Sequence, residues 1–187
     1  MSTNAPLVTT EVSDVVDETS MHKDGSVRSV QSATVEMPAG ELEKLWEPTY
    51  IERLARTYWR YLTKFTLGLV RVKYREDGRE VVLLTRPFKL LSFQAPEYEL
   101  GVDQTSVTWR IAGGILVAKK GEGWLKISVR RLPAWEGTPP GKARIRVDVE
   151  VSNFYPRIAE SISSRLYQAT QSRIHVIVCT RFLKSLA

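Results

Sequence analysis

Strict alternation of apolar and polar residues governs most of this chain. In Ala143-Arg-Ile-Arg-Val-Asp-Val-Glu-Val151, Ala143, Ile145, Val147, Val149 and Val151 fall on one side of a strand, and Arg144, Arg146, Asp148 and Glu150 on the other. The same period predicts a strand over Val27 to Met37, with Ala33, Val35 and Met37 facing a core. It recurs in Leu69 to Arg75, where Val70, Val72 and Tyr74 oppose Arg71, Lys73 and Arg75, and Asp77-Gly78 turns the chain back into Glu80 to Arg86. Phe88 to Leu100 reads as a further strand broken at Pro96, which places it at an edge or a bend. Thr105 to Ala118 and Trp124 to Arg131 flank the turn Lys120-Gly-Glu-Gly123, and Gly113-Gly114 predicts a bulge or sharp bend. Pro133 to Lys142, rich in proline and glycine, is a loop.

Two stretches change period. Pro38-Ala-Gly opens a short helix with Leu42, Leu45 and Trp46 at helical spacing, and Pro48 stops it. Thr49 and Glu52 form a capping box for the next helix, whose apolar stripe is Ile51, Leu54, Ala55, Tyr58, Leu62 and Phe65, ended by Gly68. After Val151, Ser152-Asn153 reads as a cap and Pro156 as a first-turn residue of a long helix reaching Ala187, with Ile158, Ile162, Leu166 and Ala169 on one face. Ile174 to Cys179 is rich in β-branched residues, yet no glycine or further proline interrupts it. Thirty helical residues span about 45 Å, enough to cross a sheet. Residues 1–26, rich in Ser, Thr, Val and acid without a sustained period, read as a disordered acidic tail before a single domain over 27–187.

The order strand, two short helices, a run of antiparallel strands and a long terminal helix resembles the helix-grip or START-like (SRPBCC) superfamily, which includes birch-pollen-allergen-like proteins, polyketide cyclases and lipid-transfer domains. That resemblance covers residues 27–187 and rests on element order, since no diagnostic motif accompanies it. It implies an α+β fold: a curved antiparallel sheet of about seven strands, two short helices after strand 1, and a long C-terminal helix across the concave face with an apolar cavity beneath. The function it implies is binding or carriage of a small hydrophobic molecule, lipid or polyketide-like, or else a cyclase or aromatase reaction in the same cavity. A bent sheet does not lie flush along a straight helix, so large side chains or a ligand must fill the gap. The lining residues expected on that geometry are Tyr58, Leu62, Phe93, Trp109, Ile127, Val149, Leu166 and Tyr167, each equally explicable as core packing. Gln168, Gln171, Arg173 and His175 make a polar interlude in the last helix, and Gln171 and His175 are the candidates to orient a polar ligand head.

Composition narrows the chemistry. The 187 residues are 43% hydrophobic, enough for one domain with a real core. Two histidines, His22 and His175, and one cysteine, Cys179, leave no His/Cys zinc set, and neither a nucleophile elbow nor a phosphate-cradling or dinucleotide-binding glycine loop occurs. No cofactor, metal or catalytic residue is therefore assigned. A lone cysteine forms no internal disulfide, and the chain's start lacks the pattern of a secretory signal, so a cytoplasmic setting is expected.

Charge adds one further candidate. The formal net charge is +6, and residues 1–27 hold five acidic side chains against one lysine, a net −4, which leaves +10 on residues 28–187. Arg53, Arg56, Arg60 and Lys64 share one helix face, with Trp59 and Tyr61 beside them, and Arg71, Lys73, Arg75, Arg110, Lys126 and Arg130 alternate along strands. Such stripes are ordinary solvated faces or a surface for an anionic membrane. Nucleic acid is the weaker partner, because no base-reading module is present. Trp135, in the proline-rich loop, either caps a core edge or gates the cavity.

Overall fold

The computed structural model describes residues 11–65, 67–68, 70–83, 89–117, 122–136, 138–155, 179 and 182–183. Among the described residues nine strands form one antiparallel sheet: β1 (Glu11–Met21), β2 (Val27–Pro38), β3 (Val70–Arg75), β4 (Gly78–Leu83), β5 (Lys89–Gln94), β6 (Glu97–Leu100), β7 (Gln104–Gly113), β8 (Trp124–Arg131) and β9 (Lys142–Phe154). Their spatial order is β1-β2-β9-β8-β7-β5-β4-β3, with β6 also paired to β7. Between β2 and β3 lie α1 (Ala39–Leu42), a 3-10 turn (Glu43–Trp46) and α2 (Pro48–Phe65).

This corrects the expected architecture. The sheet has nine strands where about seven were expected, and the helices that follow β2 include one of 18 residues. The expected long helix across the concave face falls largely on residues 156–178, which lie outside the described residues. Only Cys179, Phe182 and Leu183 of that segment are described, each helical and each fully buried. The strand before it also runs on: Ser152 and Asn153, read as a helix cap, belong to β9 because Phe154 still pairs with Val27 of β2.

Part of the expected tail is a strand as well. β1 pairs with β2 from Glu11↔Glu36 to Met21↔Val27, with a register shift between Ser13 and Val16. Asp14 within that bulge has φ 50°, a left-handed conformation that Asp tolerates better than most residues. Edge strands bury one side at most, so a segment rich in acid, Ser and Thr can serve.

Elsewhere the elements follow the sequence pattern closely. The β3–β4 hairpin closes with Arg75 opposite Gly78. β5 and β6 act as one strand kinked at Ala95-Pro96, since both lie along the same edge of β7. The chain leaves β7 through Gly113 and Gly114, whose φ values of 158° and 135° end the ladder. α2 stops where Leu67 and Gly68 turn left-handed and the Gly68 N–H donates to the Thr63 carbonyl.

Directly paired residues of neighbouring strands share a face. The rows Thr19–Ser29–Val151–Leu125–Trp109 and Asp17–Gln31–Val149–Ile127–Val107 therefore define the inner face from β1 to β7. Its middle is aliphatic, with Ile127 and Val149 fully buried, and α2 packs over the β7 and β3 side. The outer face is charged and largely self-neutralised: Arg110 pairs with Glu97, Lys126 with Glu99, Arg130 and Arg146 with Asp148, and Arg28 with Glu150. Exposed pairs of this kind contribute about 0–1 kcal/mol each, so the inner face carries the stability.

Candidate functional site

Aromatic rings meet where α2 crosses the inner face. Trp59 of α2 lies edge-on to Trp109 of β7, with ring centres 5.4 Å apart, and at 5.4 Å from Phe93 of β5. Tyr58 touches Trp59 at 5.1 Å and Phe182 at 5.6 Å, and Tyr61 reaches Phe182 at 6.3 Å. Such tilted and edge-to-face pairs are the favoured geometries for aromatic quadrupoles. A contiguous wall of rings thus runs from Phe93 to Phe182, flanked by the aliphatic rows of β8 and β9.

Of the lining residues expected from the sequence, Tyr58, Phe93, Trp109, Ile127 and Val149 are buried in this one cluster, and Leu62 packs against it half-buried. Leu166, Tyr167, Gln171 and His175 lie outside the described residues. Trp59 is a correction: it was grouped with the basic stripe, yet it is 2% exposed at the centre of the ring cluster. The signal was present in the spacing, because Trp59 follows Ala55 by four residues and precedes Leu62 by three, both members of the apolar stripe.

Several polar atoms are sealed into this interior. Among the described residues, the indole nitrogens of Trp59 and Trp109 have no hydrogen-bond partner, nor has Oε1 of Gln31, a fully buried side chain. The amide nitrogen of Gln31 donates to Asp17 and to Ser29, both at 2.8 Å, and the Thr19 and Ser29 hydroxyls are 2.7 Å apart. This polar corner at the β1–β2 end was invisible in the sequence, because half of it comes from residues read as a tail.

Two titratable groups described in this interior, Tyr58 and Cys179, are held neutral. Burial pushes the Tyr58 phenol well above its ordinary range, helped by the neighbouring Cys179 with which it shares a hydrogen bond. Burial likewise drives the Cys179 thiol far up, which the Tyr58 bond only partly offsets. Neither group is placed to exchange protons near neutrality. Among the described residues no three His, Cys, Asp or Glu side chains gather to hold a metal ion.

At the surface, α2 is tied to β6 and β4 through Glu52. Tyr98 donates to its carboxylate, Arg56 donates at 2.8 Å, and Arg79 stands at 3.7 Å. Burial raises the Glu52 carboxyl, but these hydrogen bonds and the two guanidinium charges outweigh it and leave it below the ordinary range. The Tyr98 phenol is pushed up to about 12, by burial and then by the bond to Glu52. Glu52 therefore faces outward partners in place of closing the expected capping box, and the Thr49 hydroxyl turns to Glu47. Arg53, Arg60 and Lys64 are exposed on the same helix, and among the described residues no acid pairs with them. Trp135 lies half-buried under Arg144, whose guanidinium carbon is 3.7 Å from the ring centre, so the loop tryptophan is clamped by a cation–π contact.

No family model matches this chain, and no curated protein matches it either. Among solved structures it is similar to norcoclaurine synthase from Thalictrum flavum, at 13% identity and a TM-score of 0.31, over 91% of this chain and 98% of that one. Among the described residues no helix is long and apolar enough to cross a membrane.

Proposed function

We propose that this protein binds and carries a small, mostly apolar molecule, lipid or polyketide-like, in the interior between α2 and the inner face of the sheet. The observation behind this reading is the character of that interior: a continuous wall of rings and aliphatic rows in which indole nitrogens are sealed from water without acceptors. Apolar walls with a few placed polar groups are the usual make-up of small-molecule sites. Carriage is favoured over a cyclase-type reaction because, among the described residues, the groups of this cluster that titrate, Tyr58 and Cys179, are both held in their neutral forms. Native mass spectrometry of protein purified from its own host, followed by organic extraction, tests the reading. A retained small molecule released by solvent is the expected result. Protein that is bare, and that stays bare after incubation with fatty acids and flat aromatic ketones, would refute it.

A second reading rests on a different observation. Among the described residues Arg53, Arg60 and Lys64 stand without acidic partners on α2, and Leu67, just beyond its end, is 90% exposed. An unpaired basic face with an exposed leucine suits the surface of an anionic membrane, where cations meet headgroups and one aliphatic chain inserts. Sedimentation with vesicles containing phosphatidylserine should fall steeply as salt rises, and should weaken in the triple variant Arg53→Ser, Arg60→Ser, Lys64→Ser. Binding independent of salt would dismiss this surface.

A further inference from the structure

Trp59 and Trp109 are held differently from the rest of the ring cluster. Each is at most 2% exposed, each offers only a donor through its indole nitrogen, and neither donor finds an acceptor. Buried donors without a partner also occur at Trp46, Arg79, Arg131 and Arg144, but among the described residues Trp59 and Trp109 are the pair whose rings touch each other. Among the described residues no main-chain carbonyl accepts from either nitrogen. No described side chain bonds them either: the rings that touch Trp59 are Tyr58, Phe93 and Trp109, and Leu125 of β8 is paired with Trp109.

We infer that Trp59 and Trp109 together form a two-donor subsite for one oxygen acceptor carried by the apolar ligand. This rests on the reading of the interior as a ligand site and specifies the ligand's chemistry. A carbonyl oxygen has two lone pairs and accepts two donors at once, one from each indole. The acceptor is neutral, because the buried cluster holds no lysine, arginine or histidine among the described residues, and a carboxylate there would lie without a countercharge. The flat faces of Trp59, Trp109 and Phe93 favour a ring ligand, so the class of compound is a flat, apolar ketone, quinone or ester.

Two bicyclic probes of nearly equal size test the inference, 1-tetralone with a carbonyl and tetralin without one. In the unaltered protein, 1-tetralone should shift the indole proton resonances of Trp59 and Trp109 downfield, and tetralin should not. In the double variant Trp59→Phe, Trp109→Phe, the preference for 1-tetralone over tetralin should fall by about tenfold while tetralin binding persists, a factor of ten being the scale of one hydrogen bond. Equal preference in both proteins, or indole protons that ignore the ketone, would overturn the subsite and leave the container reading intact. Failure of both probes to bind would overturn the container reading and the subsite with it. Should the double variant not fold, the indole shifts in the unaltered protein decide the matter alone.

Discussion

Replacing Trp59 in two ways separates its packing from its unpartnered donor. The ring is 2% exposed and lies against Tyr58, Phe93 and Trp109, so Trp59→Ala removes most of a buried surface of about 150–250 Å². At ~25 cal/mol per Å² that is roughly 4–6 kcal/mol, in line with the usual cost of about 3–5 kcal/mol for a buried aromatic cut to alanine. A domain of this length loses about 2–4 °C of melting temperature per kcal/mol, which predicts a drop on the order of 10 °C or more. Trp59→Phe keeps a ring in the cluster and sheds roughly 40 Å², about 1 kcal/mol. It also removes an indole N–H that has no acceptor, relieving a burial penalty of about 1–3 kcal/mol. The two terms oppose each other, so Trp59→Phe should lie between unchanged and about 2 kcal/mol more stable than the unaltered protein. Urea unfolding followed by far-ultraviolet circular dichroism measures both variants in ligand-free protein. If Trp59→Phe proved as damaging as Trp59→Ala, the indole nitrogen would be making a hydrogen bond the geometry does not contain, and the reasoning about the donor pair would be wrong.

Three other outcomes follow from the same structure. Deleting residues 1–21 removes β1, leaves Gln31 without Asp17 and bares the β2 edge, so the truncated protein should melt lower and aggregate sooner than the full chain, whereas unchanged melting and light scattering would deny β1 a structural role. The Glu80 carboxyl is drawn below its ordinary range, first by the hydrogen bond from Lys89 at 2.7 Å, against burial, and then by Arg75 at 2.9 Å. A depressed carboxylate stabilises the fold above its unfolded pKa of about 4.3 and loses that contribution as pH falls through the folded value. Glu80→Gln should then cost about 1–3 kcal/mol at pH 7, a cost that shrinks as pH falls below about 4 and through the folded value, and a pH-independent difference in melting would contradict this. Cys179 is fully buried and its thiol is driven far up by that burial, so it should react with a disulfide reagent such as 5,5′-dithiobis(2-nitrobenzoate) only as fast as the protein unfolds; rapid labelling of folded protein would contradict its placement.

Much of the sheet was legible because its strands bury one face and alternate. β2 and β8 occupy the predicted stretches almost residue for residue, and the kink at Pro96 and the bend at Gly113-Gly114 are where proline and paired glycines placed them. β1 escaped because the extra residues of its bulge break the alternation, and because an edge strand with Val12 as its half-buried contact needs little apolar content. Helix periodicity placed Tyr58 and Leu62 correctly, but Trp59 was drawn to the surface by its basic neighbours Arg56 and Arg60. A stripe wider than one line of residues was needed to see that position 59 also faces inward. The polar corner of Gln31, Ser29, Thr19 and Asp17 depends on strand register, which a single strand's pattern does not contain. The sheet's cations, counted beforehand with the basic stripe of α2, prove to be mostly paired across strands, and that too is a matter of register.

The central claim, that a small apolar molecule lodges between α2 and the inner face of the sheet, is tested most directly by intermolecular nuclear Overhauser contacts in protein saturated with 1-tetralone. The account predicts contacts from the probe's ring protons to the side chains of Phe93, Trp109 and Ile127. Contacts confined to exposed residues such as Leu67 and Tyr74, or no contacts at all, would contradict it.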